Sequence, residues 1–160
     1  MEATARAVVP RPIDAVWALV SSVERMEEWV DGVGDVRRGD DGDLVVGSTF
    51  ESKYTYRGET FDVEYEVTRH DPPHRLDIRW TAGPFPFAGS IRLVEAAGGT
   101  EVSNTVDAGS DSLATSVIFT VFGPLIRRLM RRRLAGELDH LATAVESADD
   151  RSGRPVEADA

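Results

Sequence analysis

The sequence contains no cysteine among its 160 residues. This absence excludes a disulfide framework, a thiolate nucleophile and any zinc site that depends on cysteine ligands. No apolar run reaches the roughly 18 residues that a membrane-spanning helix needs. The first ten residues also lack the apolar core of a signal peptide, so we expect the protein to be cytoplasmic.

Positive charge is also scarce, because 28 acidic residues face 18 basic ones and the formal net charge is −10. A phosphate backbone would be repelled over most of such a surface, which argues against nucleic acid as a partner. The length fits one domain. We assign that domain to residues 1–147 and expect the polar residues 148–160 to form a disordered tail.

Motifs for nucleotides and metals are absent as well. Residues 32–34 (GVG) lack the third glycine of a dinucleotide loop, and the acidic run 40–43 (DDGD) is followed by Val45 where a calcium loop needs an oxygen ligand. His70 and His74 bracket a double-proline turn, which is a poor platform for metal ligands, and we expect both to be solvent-exposed. We therefore predict neither a metal nor a cofactor.

Between residues 45 and 108, apolar and polar side chains alternate with a period of two. Five or six short strands in series, each with one polar face, describe an antiparallel meander. The turns between them are marked by arginine–glycine, double-proline, glycine–proline and double-glycine signals, at residues 57–58, 70–74, 83–84 and 98–99.

Helical periodicity frames these strands. A β-prone opening at residues 3–9 is followed by Pro12, which is tolerated in the first turn of a short helix, and by a second short helical segment at residues 23–30. A long helix is predicted over residues 112–147, and we expect it to cover the apolar face of the sheet. Its apolar stripe consists of Ile126, Met130, Leu134, Leu138, Leu141 and Val145.

The order and spacing of five short segments resemble the SRPBCC superfamily, which includes START-type lipid-transfer domains, polyketide cyclases and coenzyme-Q-binding proteins. These segments are 12–17 (PIDAVW), 26–29 (MEEW), 71–76 (DPPHRL), 99–103 (GTEVS) and 123–129 (GPLIRRL). The resemblance implies an α+β helix-grip fold. In that fold a curved antiparallel sheet of six to seven strands, with two short N-terminal helices, wraps around the long C-terminal helix and encloses a cavity. It implies no catalytic motif, because the superfamily shares none.

The inward-facing positions of the strands and of the helix stripe predict the cavity wall. We expect no inward carboxylate or histidine beside the polar members of this wall. A phenol or amide in an apolar cavity needs a hydrogen-bond partner, which a ligand, a water or a neighbouring side chain can supply. The predicted ligand-binding residues are Trp29, Phe50, Tyr54, Tyr56, Tyr65, Trp80, Phe87, Ile91, Asn104, Phe122, Ile126 and Met130.

The long helix carries a second apolar face, formed by Ile118, Phe122, Leu125 and Leu129. This face is rotated by roughly 130° from the stripe, and Pro124 among its members predicts a kink or a restarted helix. Either the kink brings both faces to the same core, or residues 113–122 form a lid or an exposed patch. Beside the arginines at 127–133, such a patch could make transient contact with an anionic membrane.

Three functions remain open from the sequence. The first is a carrier or sensor that binds a hydrophobic small molecule, such as a lipid, an isoprenoid or quinone, or a polycyclic aromatic compound. The second is an enzyme of the polyketide cyclase/aromatase type that works by positioning a reactive chain, without metal or nucleotide. The third is a partner-binding module that uses the Ile118–Leu129 face, and the protein is accordingly predicted to be a monomer or a homodimer.

Overall fold

A computed structural model describes residues 2–109 and 113–152, with side chains described at 2–109 and 124–148. The strands are β1 (Glu2–Val9), β2 (Val33–Arg38), β3 (Thr49–Tyr56), β4 (Glu59–Asp71), β5 (Arg75–Ala82), β6 (Phe87–Ala96) and β7 (Gly99–Ala108). The helices are α1 (Ile13–Val20), a 3₁₀ helix (Val23–Glu28) and α2 (Leu113–Ser152).

The strands form one antiparallel sheet in the order β1-β7-β6-β5-β4-β3-β2. The sheet curves without closing and holds α2 against its concave side, so the predicted α+β helix-grip fold is confirmed. Strands β2 to β7 pair with their neighbours in sequence. β1 instead pairs with β7, at the edge of the sheet opposite β2.

The period-two alternation produces the core. In β4, Val63, Tyr65 and Val67 are buried while the residues between them face outward or are only partly covered. β-Branched and aromatic side chains suit this half-buried, pleated surface. Leu138 and Leu141 of α2 are buried against the sheet, and the layer of sheet against helix removes both apolar faces from water.

The long helix decides between two predicted alternatives at Pro124 and extends beyond its predicted end. It continues through Pro124 as one element, so the helix does not restart there. It also reaches Ser152, so the predicted tail begins as helix, and residues 153–160 lie outside the described residues. No helix in the described ranges has an 18-residue window apolar enough to cross a membrane.

The two apolar faces of α2 are not equivalent. Leu134 and Leu138 of the predicted stripe are buried, whereas Leu125 and Leu129 of the second face are 57% and 55% exposed. The expectation that both faces reach the same core is therefore wrong for Leu125, whereas Leu129 borders the cavity despite its exposure. Ile118 and Phe122, the other members of the second face, have side chains outside the described residues.

One of the two turn histidines differs from expectation. His70 is half-buried, whereas His74 is exposed as predicted. The ring of His70 lies 5.7 Å from that of Trp17, which packs α1 against the sheet. Nδ1 of His74 lies 3.2 Å from the carbonyl oxygen of Leu93, to which it donates as the Nδ1–H tautomer. The contacts of both rings therefore help to hold the turn between β4 and β5 in place.

Candidate ligand-binding cavity

A cavity of about 740 Å³ lies between the concave side of the sheet and α2. Pockets of roughly 300–1,000 Å³ suit drug-sized or cofactor-sized molecules. The inward side chains of β3 to β7 form most of the wall. Val20, Met26 and the residues around Trp29 close one side, and α2 contributes Ile126, Met130 and Leu134.

An aromatic cluster centred on Trp80 occupies one part of the wall. Phe87 stacks on the indole with the ring centroids 4.5 Å apart, and Phe85 lies 4.9 Å away. Tyr54 and Tyr65 approach edge-on at 5.3 and 6.3 Å. Adjacent strands bring these rings together, because Tyr65 of β4 pairs directly with Trp80 of β5. Such ring contacts add stabilisation beyond the buried area itself.

The phenol of Tyr65 is satisfied within the protein. Its oxygen lies 2.9 Å from Oγ of Ser52, and both side chains are buried. Burial raises the pKa of Tyr65, so the neutral phenol is favoured. This pairing matches the alternative in which a polar wall residue finds its partner in a neighbouring side chain.

Glu137 of α2 is the buried carboxyl group of the cavity wall, with 5% of the residue exposed. Its Oε1 accepts a hydrogen bond from the backbone N–H of Asp31 at 3.3 Å and lies 3.6 Å from Nε of Arg133. Its Oε2 accepts from Nδ2 of Asn104 at 3.5 Å. The prediction that no carboxylate faces inward is therefore wrong.

The position of Glu137 follows from the helix period. It lies three residues after Leu134 and four before Leu141, both of which are buried. At about 100° per residue, these spacings place it inside the apolar stripe. Burial raises the pKa of Glu137 to about 7, although Arg133 and the Asp31 N–H favour the ionised form.

Arg133 lies at the mouth of the cavity, where its positive charge offsets the negative charge of ionised Glu137. Its guanidinium lies 5.6 Å from the ring centre of Tyr54 and 5.8 Å from that of Tyr56, within cation–π range. Its Nη2 donates to the backbone oxygen of Asp31 at 2.8 Å. Among the arginines at 127–133, Arg133 alone is half-buried while the other four are exposed. Sequence reasoning grouped it with these exposed arginines and missed its role in the wall.

Gly32 allows the turn that contains Asp31 to lie close to α2 and β3. Its φ is +81°, and a Cβ at this position would lie 2.5 Å from the backbone oxygen of Thr55. The same Cβ would be 3.3 Å from both Arg133 Nη2 and a ring carbon of Tyr54. Only glycine fits such a conformation without strain, so the turn can bring Asp31 to α2.

Ten of the twelve predicted ligand-binding residues line the cavity. Tyr56 stands at its rim, 39% exposed. Phe50 is inward-facing but does not line the cavity, because its ring stacks beneath that of Tyr65 at 4.4 Å. The side chain of Phe122 lies outside the described residues. The wall residues that sequence reasoning missed include Asp31, Phe85, Ser90, Arg133 and Glu137.

The polar groups of the wall can donate, accept and exchange protons, but those that the structure describes do not form a cluster of three or more metal-ligating side chains. The indole N–H of Trp80 is buried and has no hydrogen-bond acceptor among the described residues. Buried polar atoms are seldom left unpaired.

Comparison with solved structures places this arrangement among known folds. The Zhui aromatase/cyclase from Streptomyces sp. R1128 matches with a TM-score of 0.75 at 14% identity, covering 97% of this chain and 99% of that one. TTHA0849 from Thermus thermophilus matches with a TM-score of 0.73 at 17% identity, covering 92% and 99%. At these identities the likeness shows the fold alone.

Sequence comparison gives the family. None of the curated proteins matches this chain. A family model described as "Polyketide cyclase / dehydrase and lipid transport" matches residues 1–146. The resemblance to the SRPBCC superfamily is confirmed by this match, and the chain belongs to the polyketide cyclase/dehydrase and lipid transport family.

Proposed function

We propose that this protein binds a hydrophobic small molecule inside the cavity, as a carrier or sensor. The observation that carries the proposal is the cavity itself, with about 740 Å³ of space between apolar and aromatic walls and a few polar groups at one end. Ligand sites commonly combine these two features, since the apolar walls provide affinity and the polar groups fix orientation. The family description, which names lipid transport, supports the same role.

The aromatic cluster favours a flat ligand over a purely aliphatic one. Four rings surround Trp80 within 6.3 Å, in stacked, tilted and edge-on arrangements. A planar ring system can join such a set with the same geometries that the protein rings use among themselves. Within the range of lipids, isoprenoids, quinones and polycyclic aromatics, the last two groups therefore fit this wall best.

Binding can be tested with the neutral fluorescent probe N-phenyl-1-naphthylamine and by native mass spectrometry of protein purified from its source. We expect saturable binding of one probe molecule and a co-purified apolar ligand that displaces it. Met130→Trp, which fills the cavity, should lower probe affinity about tenfold or more. The matched variant Leu125→Trp lies on the exposed side of the same helix and should bind as the parent does. Absence of saturable binding would overturn the proposal.

A second candidate function is catalysis of the cyclase type, and Glu137 is the observation that favours it. A buried carboxyl group with a pKa of about 7 can both take up and return a proton near neutral pH. The Zhui neighbour is an aromatase/cyclase. With a thioester of a poly-β-ketone chain as substrate, Glu137→Gln should abolish turnover while leaving N-phenyl-1-naphthylamine affinity intact. Full turnover in this variant would exclude a proton-transfer role for Glu137.

The tyrosines of the wall provide an independent test of catalysis. If Tyr54 or Tyr56 takes part in the reaction, its Phe variant should lose turnover and keep probe affinity, because only the hydroxyl is removed. Tyr65→Phe serves as the comparison, since its hydroxyl already pairs with Ser52. If all three Phe variants turn over substrate at the parent's rate, these side chains contribute only to the wall.

A further inference from the structure

We propose that Glu137 and Asn104 form a polar subsite that binds a neutral hydroxyl group, phenolic or alcoholic, at one end of an otherwise apolar ligand. This inference rests on the proposed function and adds the class of ligand. Both residues line the cavity and are buried, with Glu137 on α2 and Asn104 facing it from β7.

The two oxygens of Glu137 have different surroundings. Oε1 is held by the Asp31 N–H at 3.3 Å and by Arg133 at 3.6 Å, which fixes the orientation of the carboxyl group. Among the described residues, Oε2 has a single partner, Nδ2 of Asn104, at 3.5 Å and therefore at the limit of a hydrogen bond. A carboxylate oxygen accepts more than one hydrogen bond. Oε2 is consequently the atom with capacity for a ligand.

The cation beside the subsite is already engaged. Arg133 donates to the backbone oxygen of Asp31, lies beside Glu137 and covers the rings of Tyr54 and Tyr56. Its charge therefore offsets that of Glu137 rather than that of a ligand. A carboxylate ligand would bring a second negative charge next to Glu137 in a poorly solvated site, which is unfavourable.

A hydroxyl group suits this environment in either protonation state of Glu137. It donates to the ionised carboxylate and accepts from the neutral carboxylic acid, because a hydroxyl is both donor and acceptor. Toward Glu137 itself, a ketone or ether oxygen pairs only with the neutral acid, and an ammonium only with the ionised form. The hydroxyl is thus the one group among these whose pairing survives the titration of Glu137.

Three compounds that share one ring system test the subsite, namely naphthalene, 2-naphthol and 2-naphthoate. Each is titrated against N-phenyl-1-naphthylamine bound to the parent protein at pH 7. We expect 2-naphthol to bind about tenfold more tightly than naphthalene, because a hydrogen bond to a charged group contributes more than a neutral one. We expect 2-naphthoate to bind at least about tenfold more weakly than 2-naphthol.

Two variants assign these preferences to Glu137. Glu137→Leu should retain naphthalene affinity and reduce the ratio between 2-naphthol and naphthalene to about one. Glu137→Gln keeps the shape and removes the charge, so it should bind 2-naphthoate more tightly than the parent does, and it remains informative if the leucine variant does not fold. Asp139→Asn, on the exposed side of the same helix, should leave all three affinities unchanged.

The outcomes separate this inference from the function on which it rests. If naphthalene and 2-naphthol bind equally well to the parent, the subsite is disproved while cavity binding stands. If 2-naphthoate binds best, the subsite serves an anion and Arg133 is its ligand, which also overturns the inference. If neither the probe nor any of the three compounds binds, the proposed function fails and the subsite fails with it.

Discussion

The carboxyl group of Glu137 experiences two opposing influences. Burial favours its neutral form, whereas Arg133 and the backbone N–H of Asp31 favour its ionised form. Burial prevails, and the pKa of about 7 means that both forms are populated at neutral pH. The Asp31 carboxylate acts in the same direction as burial, because its negative charge disfavours the ionised form of Glu137. Tyr54 and Arg133 also lie around the cavity mouth, and His140 lies 3.4 Å from the Asp31 carboxylate.

The raised pKa of Glu137 predicts that the free energy of unfolding falls as pH rises from about 4.5 to 7. In this range the unfolded chain has already lost the proton that the folded protein still holds, so ionisation favours the unfolded chain. A displacement from 4.5 to about 7 corresponds to about 3 kcal/mol. Relative to Glu137→Gln, the parent should lose stability of this order between pH 5 and pH 8 in urea denaturation.

Asp139→Asn is the control for this measurement, because it also removes one carboxylate from α2 but at an exposed position. Its stability should follow that of the parent across the same pH range. Parallel curves for the parent and Glu137→Gln would show that Glu137 titrates alike in the folded and unfolded chain, contrary to its burial.

At the residue scale, the sequence predicts which side of the sheet a side chain faces, but not whether that side chain reaches the cavity or lies beneath another one. The parity of β3 and β7 correctly places Tyr54 and Asn104 in the cavity wall. The same parity includes Phe50, which is inward but lies beneath Tyr65, since alternation cannot show which side chain covers which. Glu137 escaped prediction because a charged residue is read as a surface residue, although its spacing from Leu134 places it on the buried stripe.

At the scale of elements, α2 combines two environments along one continuous helix. Near its first described side chains, the exposed leucines Leu125 and Leu129 lie among the exposed arginines 127, 128, 131 and 132. The remainder of the sequence is strongly acidic, since the whole chain carries −10. This cationic and apolar segment is thus distinct from the surface around it, and transient membrane contact remains our prediction for it.

Liposome co-sedimentation tests this prediction. The parent should sediment with phosphatidylserine-containing vesicles and less so at high salt, because screening weakens attraction between surface charges and anionic lipid. The double variant Leu125→Ser/Leu129→Ser should partition less, since it loses the apolar contribution. Val94→Ser removes a comparably exposed apolar side chain, 57% exposed, from the sheet instead and should behave as the parent does. Equal partitioning of parent and double variant would eliminate membrane contact through this segment.

Strand and helix types were predictable from the sequence because their hydrophobic periods differ, whereas the limits of the elements were not. The segment predicted as helical at 23–30 is a 3₁₀ helix from Val23 to Glu28. Its type and end could not be predicted, because a single short turn has no period that distinguishes a 3₁₀ helix from an α-helix. The helical extension to Ser152 lies in a polar stretch without an apolar stripe. The local pattern also cannot show which face of a continuous helix meets the sheet. The exposure of Leu125 and Leu129 could therefore not be decided from the sequence.

At the scale of the whole molecule, the fold keeps a large space open between two layers that would otherwise pack directly. Side chains lose contact partners wherever they border a void, so a cavity of about 740 Å³ lowers the stability of the unliganded protein. Gly89 of β6 contributes to this opening. It lines the cavity, and a Cβ there would meet Phe87 and Ile78 at ordinary contact distances of 3.5 and 3.6 Å.

Gly89→Leu should therefore raise stability and reduce binding together. The new side chain enters the cavity, where it buries apolar surface and removes the flexibility of glycine from the unfolded chain, for a gain of about 1 kcal/mol. The space it occupies is lost to the ligand, so N-phenyl-1-naphthylamine affinity should fall about tenfold or more. Gly34→Leu is the matched control, because nothing lies within 4 Å of its Cβ and it does not line the cavity. Undiminished probe affinity in Gly89→Leu would place the binding site elsewhere.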